Sequence, residues 1–210
     1  MGGGMTAIAE LSIAAPVESW QKLGLVFDED CTTRAGSVVL RFESPTPGHE
    51  GVVGWCLAGA PTALTDIDGL STAHVEDVAR QTRRPVGDLL GIVGFDHIVV
   101  LTSSLERTCG AIEEATGEPL KRVREVGAIR QGFHRLGEVI VEVVESPQVK
   151  SAKASFWGFT LNVVDLHGVC RHLGPGVIGL PRAAVQPGRL IATVRPDMGL
   201  GVPLALMTPP

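Results

Sequence analysis

The succession of patterns between residues 92 and 147 constrains this chain more than any other feature. Residues 95–101 (FDHIVVL) form a β-rich apolar run. Ser103 and Glu106 follow at the spacing of a helix capping box. Leu105, Cys109, Ile112 and Ala115 then recur at helical spacing, and Gly117 stands where a left-handed residue ends a helix. Residues 120–126, 130–136 and 138–145 read as three further strands, punctuated by Gly132 and Gly137 and ended by Pro147. The order is β-α-β-β-β.

The rest of the chain repeats this rhythm in shorter form. Residues 159–165 read as a strand, 167–173 as a short helix, and 179–185, 189–195 and 202–207 as strands. Pro187-Gly188 and Asp197-Met198-Gly199 supply the turns. At the start, residues 7–14 read as a strand and 17–23 as a short helix, with strands near 25–31, 37–43 and 52–58. Ala35 to Arg41 can be laid over Pro187 to Thr193, so a unit of roughly 50 residues recurs. The expected organisation is a shortened N-terminal module (1–60), a connector (61–91) with one helix near 73–81, a central module (92–147), and a C-terminal module (154–210) with a short helix. The predicted class is α+β.

Composition narrows the function. The 44% of apolar residues suits a packed core, and a formal net charge of −5 gives no basis for a broad nucleic-acid-binding surface. Four cysteines do not make a disulfide scaffold. Glu10 interrupts the first apolar stretch, which no basic residue precedes, so no secretory signal is read there. No apolar run reaches the roughly 18 residues of a spanning helix. The expectation is a cytoplasmic protein that engages neither membrane nor nucleic acid.

The run containing His97, the spacing from there to Gly117, and the closing strand 139–147 (VIVEVVESP) resemble the vicinal oxygen chelate superfamily. That superfamily includes glyoxalase I, methylmalonyl-CoA epimerase, extradiol dioxygenases and bleomycin-resistance proteins. The resemblance implies paired βαβββ modules whose curled mixed sheets enclose a pocket. It implies His97 as a metal ligand from a first strand and Glu142 as one from a last strand. The ion would be divalent: zinc, nickel, manganese or iron. At the corresponding positions of the C-terminal module the alignment places Leu161 and Ala205, which cannot ligate. In the N-terminal segment the positions fall near Leu11 and Trp55 or Cys56.

Strand parity reaches the same pair independently. Val139, Val141 and Val143 share one wholly apolar face, which suits packing under the helix; Glu142 lies on the other. If Ile98 and Val100 also face the helix, His97 shares the face of Glu142. An imidazole and a carboxylate suit a divalent metal. The alternative is a surface glutamate and a hydrogen-bonded core histidine. His134 is a candidate third ligand or base, against an exposed strand histidine. Arg130 and Arg135 suit a substrate carboxylate or phosphate, against solvated strand residues. Trp157, Phe159 and Leu161 are candidate pocket walls. A bound metal would stabilise an enolate while Glu142 or Glu138 moved an α-proton, which is lyase or isomerase chemistry on a small oxygenated metabolite. The rival is a metal-free small-molecule binding protein of the bleomycin-resistance type. A module left without a partner exposes sheet edges, so a homodimer is expected. Gly174 to Gly179 satisfies G-x-G-x-x-G but lacks the strand–turn–helix context of a dinucleotide site.

Overall fold

The computed structural model describes residues 5–76 and 89–210. The protein is α+β, with a six-stranded and an eight-stranded sheet, both mixed. The larger sheet holds the central and C-terminal modules. The central one comprises β7 (Ile92–Thr102), α2 (Leu105–Thr116), β8 (Arg122–Val126), β9 (Ile129–Leu136) and β10 (Val139–Glu145). The other comprises β11 (Ser155–Val163), α3 (Leu166–Leu173), β12 (Arg182–Ala183), β13 (Leu190–Thr193) and β14 (Leu204–Met207). The first and last strands of each module run parallel, β7 with β10 and β11 with β14, and β7 meets β11 antiparallel at the centre. The strand order is β12-β13-β14-β11-β7-β10-β9-β8.

Local chemistry explains α2. Its N-cap is Ser104 rather than the expected Ser103; the Ser104 hydroxyl accepts from the Arg107 amide at 3.4 Å. Ser103 instead donates to the Ser151 carbonyl. Glu145 accepts the Leu105 amide at 2.7 Å and so satisfies a second free donor of the first turn. Gly117 ends the helix at φ 72°, a conformation that costs other residues steric strain. Leu105, Cys109, Ile112 and Ala115 are all buried.

The N-terminal sheet departs from the expected single module. It contains β1 (Ala7–Ala14), α1 (Val17–Leu23), β2 (Thr32–Ala35), β3 (Val38–Glu43), β4 (Gly51–Ala58), β5 (Asp66–Ile67) and β6 (Leu70–Val75). Residues 25–31 are not a strand. β4 does not close the first unit: it runs antiparallel to β1 and opens a second, helix-free unit in which it pairs parallel with β6. The expected connector helix is contradicted at Ala73 to Val75, which lie in β6; its remainder lies outside the described residues. The sheet order, β2-β3-β1-β4-β6-β5, thus repeats the centre of the larger sheet with one strand fewer on each side.

One core joins the sheets. α2 packs on β9 and β10, and α3 packs on β13. The middle of the larger sheet is covered instead by the N-terminal sheet and α1. Trp20 stacks on Phe159 at 5.9 Å, and Trp55 meets Phe156 edge-on at 5.2 Å. The indole of Trp20 also donates to the Leu200 carbonyl. The opposite face of the larger sheet is left for a site. Among the described residues no helix is long and apolar enough to cross a membrane.

Candidate ligand pocket and catalytic site

Registers define the uncovered face row by row. His97 pairs with Ile140 and Val99 with Glu142, so the imidazole and the carboxylate lie on one face, two residues out of step on neighbouring strands. Continuing outward, Glu142 pairs with Phe133 and Phe133 with Arg122. On the other side, Thr160 pairs with His97 and Ala205 with Thr160. A cavity of 620 Å³ lies over this face, and a smaller one of 380 Å³ adjoins it. His97, Glu142, Arg182 and Ile191 border both. The larger lobe is walled by residues of β8, β9 and the β12 region. The smaller is mainly apolar, with Val99, Leu101, Val144, Trp157 and Pro203. Strands at opposite edges of the sheet border one cavity, which shows how far the sheet curls; its edges remain unpaired with each other.

His97 is held from both sides. Its Nδ1 donates to Asp96 Oδ2 at 2.8 Å, and its Nε2 lies 3.1 Å from the Thr160 hydroxyl. Sequence neighbours on a regular strand point to opposite faces. Here Thr160 pairs with His97 but Leu161 with Phe95, so Asp96 is the extra residue of a β-bulge, which lets the two side chains meet. Asp96 is 5% exposed and also accepts from Arg189 Nη2 at 2.6 Å. Burial opposes its charge, but the hydrogen bonds from His97 and Arg189 outweigh this and hold the carboxyl below its usual range. An ionised Asp96 accepts from Nδ1, so the tautomer is fixed with the Nε2 lone pair toward the cavity. Arg189 completes the support by donating to Asn162 Oδ1 and the Thr208 carbonyl.

Glu142 is held by Gln131, whose amide Nε2 donates to Oε1 at 2.6 Å. That bond fixes the amide orientation and leaves Gln131 Oε1 buried without a partner among the described residues. No group of three His, Cys, Asp or Glu side chains comes together among the described residues. His97, Glu142 and Gln131 all border the larger cavity, with Gln131 Oε1 buried beside Glu142 and His97 Nε2 within reach of the Thr160 hydroxyl. Their side chains are a nitrogen and oxygen set that suits a borderline divalent ion.

The remaining expected residues divide. Arg135 and Trp157 border the larger and smaller lobes respectively. Trp157 is the extra residue of a second bulge, in β11, and is 51% exposed. Phe159 borders the smaller lobe, but its ring is stacked in the core between Trp20 and Phe95. Leu161 is fully buried in the core. Arg130 pairs with Glu145 on the helix side of the sheet, in ion pairs with Glu106, Glu125 and Glu145. His134 itself borders the larger cavity, but it pairs with Val141, so its ring lies on the helix side, where Nδ1 donates to the Glu118 carbonyl. It does not converge with His97 and Glu142. Glu138 accepts from Ser37 and borders neither cavity.

The β7 bulge also corrects the alignment. The residue opposite His97 is Thr160, not Leu161, and the position corresponding to Glu142 is Met207, not Ala205. Residue reasoning missed Asp96, Thr160, Gln131 and Arg189. Asp96 was legible in principle: an acid inside a strand of apolar residues is costly unless it is partnered.

No protein-family profile matches this chain, and no curated protein matches its sequence. Solved structures do resemble it. A mutant 4-hydroxymandelate synthase from Streptomyces coelicolor aligns over 96% of this chain and 92% of that one, with TM-score 0.62 and 15% identity. Methylmalonyl-CoA epimerase from Mycobacterium tuberculosis aligns over 56% of this chain and 89% of its own, with TM-score 0.46 and 18% identity. The synthase alignment takes in nearly the whole described chain. With the paired modules described above, it shows that this protein has the fold of the vicinal oxygen chelate superfamily.

Proposed function

We propose that the protein is a glyoxalase-like enzyme, a lyase or isomerase that moves a proton on a small oxygenated metabolite, with His97 and Glu142 at its centre. The observation that carries this is their placement on one face of adjoining strands, bordering both lobes of the cavity. Asp96 fixes the His97 tautomer. Gln131 orients Glu142 and, among the described residues, leaves its second oxygen uncommitted, as a proton acceptor must have it. The apolar walls from Val99, Leu101 and Trp157 exclude water and so strengthen each polar interaction in the site. A divalent ion would be held by His97 and Glu142, with Gln131 Oε1 as a further oxygen donor. When bound, it supplies Lewis-acid polarisation of two adjacent substrate oxygens.

The test is metal analysis of the purified protein after dialysis against nickel, zinc, manganese or iron(II). About one ion per chain is expected, with the ion lost in His97→Ala and in Glu142→Ala. Wild-type protein that stays metal-free under all four conditions overturns the metal-dependent reading.

A second reading is favoured by Thr160 and Met207. They occupy the other two ligand positions with a hydroxyl and a thioether, and Thr160 already engages His97 Nε2. On this reading the cavity is a metal-free small-molecule binding site. Under either reading we place the protein in the cytoplasm as a homodimer, joined along the edge strand β8, where Val123 and Val126 are exposed beside Ile129 at the start of β9. A sedimentation mass of one chain overturns the dimer.

A further inference from the structure

The cations of this protein are not evenly committed. Arg41, Arg107, Arg130, Lys153 and Arg189 are paired with carboxylates. Lys121, Arg122, Arg124, Arg135 and Arg182 have no carboxylate partner among the described residues, yet all five border the larger cavity. Glu142 is the one acid on that wall among the described residues. The chain as a whole carries a formal net charge of −5, so this concentration runs against its overall balance.

The row through Glu142 runs Glu142, Phe133, Arg122 out to the edge strand β8. The row through the corresponding residue of the other module runs Met207, Ile191, Arg182 out to the opposite edge, β12. Arg122 and Arg182 are therefore corresponding residues of the two modules, brought to one cavity from both ends of the curled sheet. The Arg122 guanidinium lies 5.1 Å from the centroid of the Phe133 ring, which holds it against the cavity wall. Arg124 stands two residues further along the same face of β8, and Arg135 lies in the row of His97 and Ile140.

We propose that Arg122 and Arg182 form a two-sided clamp for the anionic groups of the ligand, with Lys121, Arg124 and Arg135 around it. The ligand is an organic anion whose phosphate or carboxylate end sits under the arginines and whose apolar end reaches the lobe lined by Trp157. This deepens the proposed function and rests on its reading of the cavity as the ligand site. Guanidinium forks recognise phosphate and carboxylate in the same bidentate way, so the two sources are separated by the test.

The test uses two fluorescent probes on the full chain: anionic 8-anilinonaphthalene-1-sulfonate and neutral N-phenyl-1-naphthylamine. Arg122 and Arg182 are both exposed, so a double Arg122→Gln, Arg182→Gln variant removes the clamp without opening the core. The variant is expected to bind the sulfonate probe about tenfold more weakly, with neutral-probe affinity and thermal midpoint unchanged. Displacement of the sulfonate probe by pyrophosphate assigns the clamp to phosphate, and displacement by succinate assigns it to carboxylate. Unchanged sulfonate affinity, equal loss of both probes, or no displacement by either anion overturns the clamp. If neither probe binds wild-type protein, the reading of the cavity as a ligand site fails, and the clamp fails with it.

Discussion

The two sheets place different chemistry on the same diagonal. In the larger sheet, His97 on a first strand and Glu142 on a last strand are two residues out of step. In the smaller, Glu10 pairs with Val39 and Ser12 with Arg41, so Arg41 stands to Glu10 as Glu142 stands to His97. There the two side chains close on each other, Arg41 donating to both carboxylate oxygens at 2.9 and 3.1 Å. Cys56 faces Glu10 where Thr160 faces His97, and burial raises its thiol pKa, so it stays a thiol. The smaller sheet thus demonstrates that this diagonal lies within side-chain reach. An acid and a base fill it with their own ion pair; an imidazole and an acid do not close on each other in this way. What distinguishes the candidate site from the sealed face is which residue types occupy two equivalent positions, rather than the backbone.

The largest expected effect breaks the union of the sheets. Trp20 is fully buried between them, so Trp20→Ala is expected to cost about 3–5 kcal/mol through lost burial and a cavity. Thermal unfolding checks this. Loss of one cooperative transition into two would show the sheets to be independent, and the comparison would then concern two domains.

A smaller effect separates the two faces of the larger sheet. Burial pushes the His134 pKa down, so the folded protein binds a proton there less readily than the unfolded chain. Stability from this group is present above the unfolded value of about 6.5 and is lost as pH falls below it, toward the depressed folded value. His134→Phe is expected to flatten that acid slope in denaturant titrations between pH 7 and the onset of carboxylate protonation. It is expected to leave binding of the neutral fluorescent probe unchanged. A probe-binding defect would place His134 in the site.

The smallest effect is expected in the N-terminal sheet. The Arg41 side chain is 43% exposed, so Arg41→Gln is expected to change stability by less than about 1 kcal/mol. It is also expected to leave metal content as in wild type. Loss of metal on that substitution would reverse the assignment of the site to the larger sheet.

Much of the fold was legible because it is local. The helix from Leu105 to Gly117 and the strands around it follow from spacing, caps and turns that neighbouring residues supply. Strand parity likewise put Val139, Val141 and Val143 opposite Glu142. The N-terminal half was less legible. Whether the strand 51–58 closes one unit or opens the next depends on parallel or antiparallel pairing with β1, which its own residues do not encode. Of the candidate site, only His97 and Glu142 were legible as residues sharing one face. Asp96, Thr160 and Met207 enter through a bulge that shifts one strand against another by a single residue, and a one-residue shift exchanges the faces of a strand.

What the amino-acid sequence determined by itself is the element order of the central and C-terminal modules and the two polar residues on otherwise apolar strands, because both depend on short-range periodicity and on the cost of burying charge. Only the tertiary structure decided which side chains share the hollow with His97. It also decided that the arginines at two distant sheet edges look into one cavity. Both depend on register and curvature, which arise when strands far apart in the chain are hydrogen-bonded and the sheet bends over its packed face.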